Sequence, residues 1–462
     1  MRKTWKKLTA YGLCLGMTAG LLAGCGDGKG ASESTSGGDT KAQSEEAGAT
    51  QAQEGSENVT EPAASGDAVT LTFAASQNWI LDVDKNLAKK FEEETGIAID
   101  FQLSPDDQYQ TIVKSKLNTG EGPDLFMSYS GTKLKDFNPQ KNMADLSGEE
   151  WVGKLEQWAI DGNSIDGVLY AQNTAGVDDT NGVLYKPAVF EELGIQVPTN
   201  YAEFKTACDK LQEAGITPIY EFVKDLWHTH YWMEGASALA ATNDPDLYKK
   251  LNTNEMGFAD VPEFVTALEQ LQEMYEANYF GENSMSNIYD NSYDALTSGK
   301  YGMIIIHGSY PNEIVNNIPD ADPDEFSMFP SPLVDNQYVT LTAGGTTKCI
   351  NANSPHIEEA KQYLNFLARE DNLKTLYKEK TTYVSSSVEG IEASPTKAFK
   401  DLREREVGEL QGAEASVYFY DGGKISELCQ EMFVGTLTPK QVLEEFDTYR
   451  RAIAKDAGQE GF

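Results

Sequence analysis

Aromatic side chains recur just past segments that read as strands. Trp79 ends Ser76-Gln77-Asn78-Trp79 beyond the first strand, Tyr129 follows Leu125-Phe126-Met127, and Tyr310 follows Gly308-Ser309. Trp227, His228, Tyr231 and Trp232 crowd a further segment. In parallel α/β sheets ligands bind beyond the carboxyl ends of strands. Single aromatic residues are more often packing than contact, but three at strand ends point to a ligand. A flat ring matches the C–H face of a pyranose, and nearby Asn, Asp and Gln can take its hydroxyls. A site of that kind rejects analogues that leave its buried polar groups unpaired.

Motifs for covalent chemistry are missing. The chain has no G-x-S-x-G, and none of its Gly-Lys pairs is followed by Ser or Thr, so neither a nucleophile elbow nor a P-loop is present. Gly26, Gly28 and Gly30 alternate without a strand before or a helix after, and H-E-x-x-H is absent. His228-Thr229-His230 would place two rings on one side of a strand, but a structural metal site wants three or four ligands and no other Cys or His lies close in sequence. No metal or cofactor is expected. The many carboxylates leave a glycosidase pair open, with nothing marking two of them.

The elements that would position these rings follow from periodicity. Val69 to Phe73 alternates as a strand, Asp82 can cap a helix through Val83, Leu87 and Phe91, Gly96 stops it, and Ile97 to Phe101 is a second strand. Strand, helix, strand in this span is a βαβ unit and predicts a parallel sheet. Tyr109 to Leu117 reads as a helix closed by Gly120, before the strand Leu125 to Met127. A second α/β region contains the strand Gly182 to Tyr185 and an Asn200/Glu203 capping pair before Phe204, Cys208 and Leu211. It continues with a helix through Phe264 and Leu271, the buried strand Tyr301 to Ile306, a strand from Thr347 to Ile350, and helices at Ile357 to Leu367 and Gln441 to Ala454.

The amino end carries its own chemistry. Arg2, Lys3, Lys6 and Lys7 precede an apolar run from Leu8 to Leu22, then Ala23-Gly24-Cys25. A basic start, a short apolar core and small residues before a cysteine make a secretory signal, 1–24. The pattern resembles the bacterial lipobox, which implies lipidation of Cys25 and a mature chain beginning there; an uncleaved anchor is the alternative. Residues 25–67 then hold Gly, Ser, Ala, Thr, Glu and Gln with almost no large apolar side chain, a tether unable to offset its ordering entropy. Its random-coil reach is roughly 35 Å.

The remaining length is too great for one small core, so two or more lobes are expected. A formal net charge of −36 argues against nucleic acid and against anionic lipid, and leaves open a preference for cationic ligands. Cys208, Cys349 and Cys429 are widely spaced and odd in number, so no disulfide framework is implied, though one bridge stays open.

Several phrases together resemble the extracellular solute-binding proteins of ABC importers, in the cluster that includes maltose-binding protein. They are Phe91-Glu-Glu-Glu-Thr-Gly-Ile97, Leu117-Asn-Thr-Gly-Glu-Gly-Pro-Asp124, Gly182-Val-Leu-Tyr-Lys-Pro-Ala-Val-Phe190 with Pro198-Thr199, and Leu296-Thr-Ser-Gly-Lys-Tyr-Gly-Met303 through Gly308-Ser309-Tyr310. Lys186 stands where Asn is usual, and Tyr310 where Trp is usual. The resemblance implies an α/β periplasmic-binding-protein-like fold: two lobes, crossing segments near 173–181 and 338–344, and a ligand cleft between. It implies lobe 1 at 68–177 plus 344–395 and lobe 2 at 178–343 plus 396–462. It implies a carbohydrate ligand, with Asn78, Trp79, Tyr129, Asp178, Trp227, His228, Tyr310, Gly344 and Gly345 at the site. It also implies a membrane permease with a separate ATPase, no catalysis, and a monomer held by its lipid at the outer face of the membrane. The same fold serving a polyamine or peptide is the alternative, and a surface glycosidase a remoter one.

Overall fold

The computed structural model describes residues 69–173, 180–341, 345–459 and 461–462; the signal segment, Cys25, the tether, Asp178 and Gly344 lie outside the described residues. Two sheets organise the chain. Their strands are β1 (Thr70–Ser76), β2 (Ala98–Ser104), β3 (Leu125–Tyr129), β4 (Ala171–Gln172), β5 (Asn181–Tyr185), β6 (Thr217–Ile219), β7 (Tyr301–His307), β8 (Ser327–Phe329) and β9 (Thr346–Ile350). The first sheet runs β2-β1-β3-β9-β4 and the second β8-β5-β7-β6.

In the first lobe β1 and β2 pair in parallel with Phe73 beside Phe101, and β3 joins the other edge of β1, also parallel. The helix between β1 and β2 spans Asp82–Thr95 and ends on Gly96 at φ 76°, a conformation that favours glycine. Its start differs from the expected cap at Asp82. The capping position is Leu81, whose N–H donates to the Asp84 carboxylate at 2.9 Å, while Asp82 already lies inside the helix and pairs with Lys85. A carboxylate at the third helical position reaches back to the free N–H, so Asp82 is left to the solvent.

The expectation of a parallel sheet holds only for part of each lobe. β9 runs antiparallel to both β3 and β4, and in the second sheet β5 runs antiparallel to β7 and β8, with only β6 and β7 parallel. The physical reason is connectivity: β9 enters from a distant part of the chain rather than through a βαβ crossover.

Period-two alternation sorts the first sheet between two cores. Leu71, Phe73 and Ala75 pack with Leu87, Phe91, Tyr363 and Leu364 on one face; Ala74 and Phe126 pack with Tyr109, Val113 and Leu117 on the other. The Tyr109 hydroxyl lies 2.7 Å from the Met127 carbonyl and accepts the Met127 N–H at 2.9 Å, tying that helix to β3. Apolar residues from Ile350 to Ile391 belong to this lobe, whereas Ala398, Leu402 and those from Ala413 to Phe446 join the cores of the second sheet. Cys208, Cys349 and Cys429 are buried and unbridged. Among the described residues no helix is long and apolar enough to cross a membrane.

Candidate functional site

A cavity of about 500 Å³ opens where both sheets present their loops. The first lobe contributes Tyr129, Ser130, Lys133 and Gly345; the second contributes Asn181, Trp227, His230 and Tyr231. A third wall comes from late in the chain, Glu414, Ala415 and the run Phe419 to Gly423.

Tyr129 sits at the end of β3, opposite Thr346 of β9. Trp79 follows β1 in a short 3₁₀ turn and lies edge-on to Tyr129, ring centres 5.1 Å apart, and to Tyr109 at 5.2 Å. The Trp79 carbonyl is held by Lys380 at 3.0 Å, and Lys380 pairs with buried Asp84 at 3.0 Å. Trp79 therefore backs Tyr129, while Asn78 is exposed; neither Asn78 nor Trp79 is among the lining residues. Gly345 reaches the rim because its carbonyl accepts both the N–H and the hydroxyl of Ser130, each at 3.1 Å.

Trp227 is 40% exposed and lies edge-on to Tyr231, His228 and Tyr289. An indole left in solvent at a cavity mouth is an open stacking face. His228 does not line the cavity. It stacks on Phe222 at 3.7 Å, with Nδ1 2.9 Å from Glu221 and Nε2 2.7 Å from the Ile305 carbonyl, all without solvent access. Glu221 also accepts from Thr229 at 2.9 Å and Trp232 at 2.8 Å, and these donors with His228 hold it below the usual carboxylate range despite its burial. The His228/His230 pair is not on a strand but in the turn before the helix Tyr231–Glu234, and the two rings serve different environments. Among the described residues no cluster of His, Cys, Asp and Glu could hold a metal ion.

The structure also takes Tyr310 away from the cavity. It begins the helix Tyr310–Asn317, is fully buried in the second lobe's core, stacks on Tyr293 and shares a 2.5 Å hydrogen bond with Ser292. Of the expected residues, then, Tyr129, Trp227 and Gly345 are brought together.

The late wall went unread in the sequence. Its signal was there in Tyr418-Phe419-Tyr420-Asp421-Gly422-Gly423, aromatics running into a glycine turn. Gly422 is required by close approach: a Cβ there would lie 2.4 Å from His230 Nε2. The wall is tied to the first lobe, since Lys133 donates to the Tyr420 carbonyl at 2.8 Å and the Thr132 hydroxyl reaches the carbonyls of Glu414 and Val417 at 3.3 Å.

Electrostatics in the cavity are nearly balanced. Lys114 pairs with Asp136 at 3.1 Å. Burial works against Asp421, but the Tyr449 hydroxyl at 2.6 Å and the Lys424 N–H at 2.9 Å hold its carboxyl low. Burial pushes His230 down, against the pull of Glu414. Burial, with Glu414 nearby, pushes the Glu234 carboxyl up to about 8. The arrangement offers aromatic planes and hydrogen-bonding groups.

The family model for bacterial extracellular solute-binding protein matches residues 35–374. The chain belongs to that family. This solute-binding protein is 21% identical over 418 residues to the multiple sugar-binding protein of Streptococcus mutans, covering 88% of this chain and 86% of the relative. It is 22% identical over 310 residues to the melibiose/raffinose/stachyose-binding protein MelE of Bacillus subtilis, covering 64% of this chain and 68% of that one. Among solved structures it resembles a chitin oligosaccharide binding protein with a TM-score of 0.71 and 19% identity, covering 84% of this chain and 99% of that one. The two-lobe α/β fold is thus shared, and the family is one of binding proteins.

Proposed function

We propose that this chain is the substrate-binding component of an ABC importer that captures a carbohydrate and delivers it unaltered to a membrane permease. One observation carries the reading: a cavity walled by Tyr129 from one lobe, Trp227 and Tyr231 from the other, and Phe419 and Tyr420 from a third segment, with amide, hydroxyl and carboxylate groups between. Rings on opposing walls can face both sides of a pyranose. The names of the relatives, which bind raffinose-type sugars or chitin oligosaccharide, support the same class.

Capture works by hinge closure about the crossings at 173–181 and 338–344, between lobes at 68–177 plus 344–395 and 178–343 plus 396–462. A ligand touching both lobes favours the closed form by its differential affinity. Asp178, Gly344 and Asn78 complete the proposed contact set by family resemblance. The proposal includes a monomer, tethered through lipidated Cys25 at the outer face of the membrane, with energy supplied by a separate ATPase and no bond broken in the sugar.

Thermal shift and titration calorimetry with raffinose, stachyose and chitin oligomers test this. A shift with at least one, with the sugar recovered intact, is expected. No shift with any saccharide, beside a shift with spermidine, overturns it.

A further inference from the structure

We infer that the cleft sorts saccharides by charge through Glu414, preferring a sugar that bears an ammonium group and refusing one that bears a carboxylate. This rests on the carbohydrate reading above.

Three carboxylates line the cavity, Asp136, Glu414 and Asp421, against two ammonium groups, Lys114 and Lys133, and no arginine is among the lining residues. Every one of these charges but Glu414 has a protein partner. Lys114 and Asp136 hold each other at 3.1 Å, Lys133 is drawn 2.8 Å from the Tyr420 carbonyl, and Asp421 takes the Tyr449 hydroxyl and the Lys424 N–H. Glu414 is anchored only through its backbone. Its N–H donates to Glu234 at 3.1 Å and its carbonyl accepts the Thr132 hydroxyl at 3.3 Å, while its partly exposed carboxylate makes no hydrogen bond or ion pair among the described residues.

Burial favours the protonated form of Glu234 and the neutral form of His230, the two buried groups on which Glu414 acts. An incoming carboxylate would meet a like charge in a partly desolvated wall, an arrangement that refuses a partner by repulsion. An ammonium would complete the one unmatched group. The net charge of −36 adds a field of the same sign at longer range.

Titration calorimetry of the full chain at neutral pH, with galactosamine, galactose and galacturonate and with the three glucose counterparts, reads the selection. The expected order is amine first, neutral weaker by about tenfold, and acid without heat. In Glu414→Gln the amine-to-neutral ratio should fall to near one, and Glu414→Asp should restore most of it; an unchanged melting temperature shows both variants folded. Like affinity for galactose and galacturonate in the parent overturns the charge selection and leaves the carbohydrate reading standing. An amine preference that survives Glu414→Gln overturns the assignment to that residue. Heat from none of the six sugars overturns the inference; if raffinose and chitin oligomers are also silent, the carbohydrate reading falls with it.

Discussion

Lys133 of the first lobe donates to the main-chain carbonyl of Tyr420 in the second, at 2.8 Å, and both residues line the same cavity. The bond bridges two walls of the cavity through protein atoms alone, so it favours the approach of the lobes. Because the acceptor is a backbone atom, no substitution at Tyr420 removes it; only Lys133 can be tested. Lys133→Ala should lower the closed population and weaken ligand affinity by roughly three- to tenfold. Small-angle scattering of the unliganded variant should show a larger radius of gyration than the parent. An unchanged profile with unchanged affinity would show the contact to be idle.

Trp227 and Tyr310 should behave in opposite ways. Trp227 is 40% exposed on the cavity wall, so Trp227→Ala should leave the melting temperature within a degree or two and cut affinity by roughly tenfold or more. Tyr310 is fully buried and bonded to Ser292, so Tyr310→Phe should cost about 1 kcal/mol of stability by chemical denaturation and leave affinity near that of the parent. Equal effects of both on affinity would return Tyr310 to the site.

Glu221 gathers His228, Thr229 and Trp232 around one buried carboxylate. Glu221→Ala leaves those donors without an acceptor and should destabilise the protein by about 3–5 kcal/mol. Glu221→Gln keeps the shape and should cost less. Urea denaturation monitored by tryptophan fluorescence measures both.

Glu234 gives stability a pH slope of known sign. Its folded pKa of about 8 lies above the ordinary value of 4.5, so between those two values the folded state binds more protons than the unfolded. Its contribution to stability is therefore full below pH ~4.5 and is lost as pH rises through about 8. Glu234→Gln should be less pH-sensitive over that window, by up to about 1.4 kcal/mol per pH unit. Denaturation curves taken across the window check this; parallel parent and variant slopes would contradict it.

How much of this was legible in the sequence depends on distance along the chain. Local signals read true: Gly96 and Gly120 end their helices at φ 76° and 78°, and Asn200 accepts the Glu203 N–H at 2.9 Å as the capping pair required. Tyr129, the last residue of its strand, and Trp227, in a loop, stand out in the sequence as rings, and both line the cavity. Tyr310 misled because a strand end does not fix where a ring points; the helix that starts on it turns it into the core. His228 entered through the family resemblance rather than a local pattern, and the turn that carries it buries its ring against Phe222 and Glu221. The wall from Glu414 to Gly423 escaped because only tertiary folding carries it to Lys133, nearly three hundred residues earlier, and no local pattern records that meeting.

The place of β9 has a consequence for how the protein is made. Thr346–Ile350 lies between β3 and β4, although more than 200 residues separate it from β3. Until that strand emerges, Leu125–Tyr129 presents a bare apolar edge, the kind of surface that recruits wrong neighbours. The amino-terminal half cannot finish itself, so biogenesis must shelter an incomplete sheet through most of synthesis, and truncation anywhere before Ile350 should yield aggregate rather than a smaller soluble fragment.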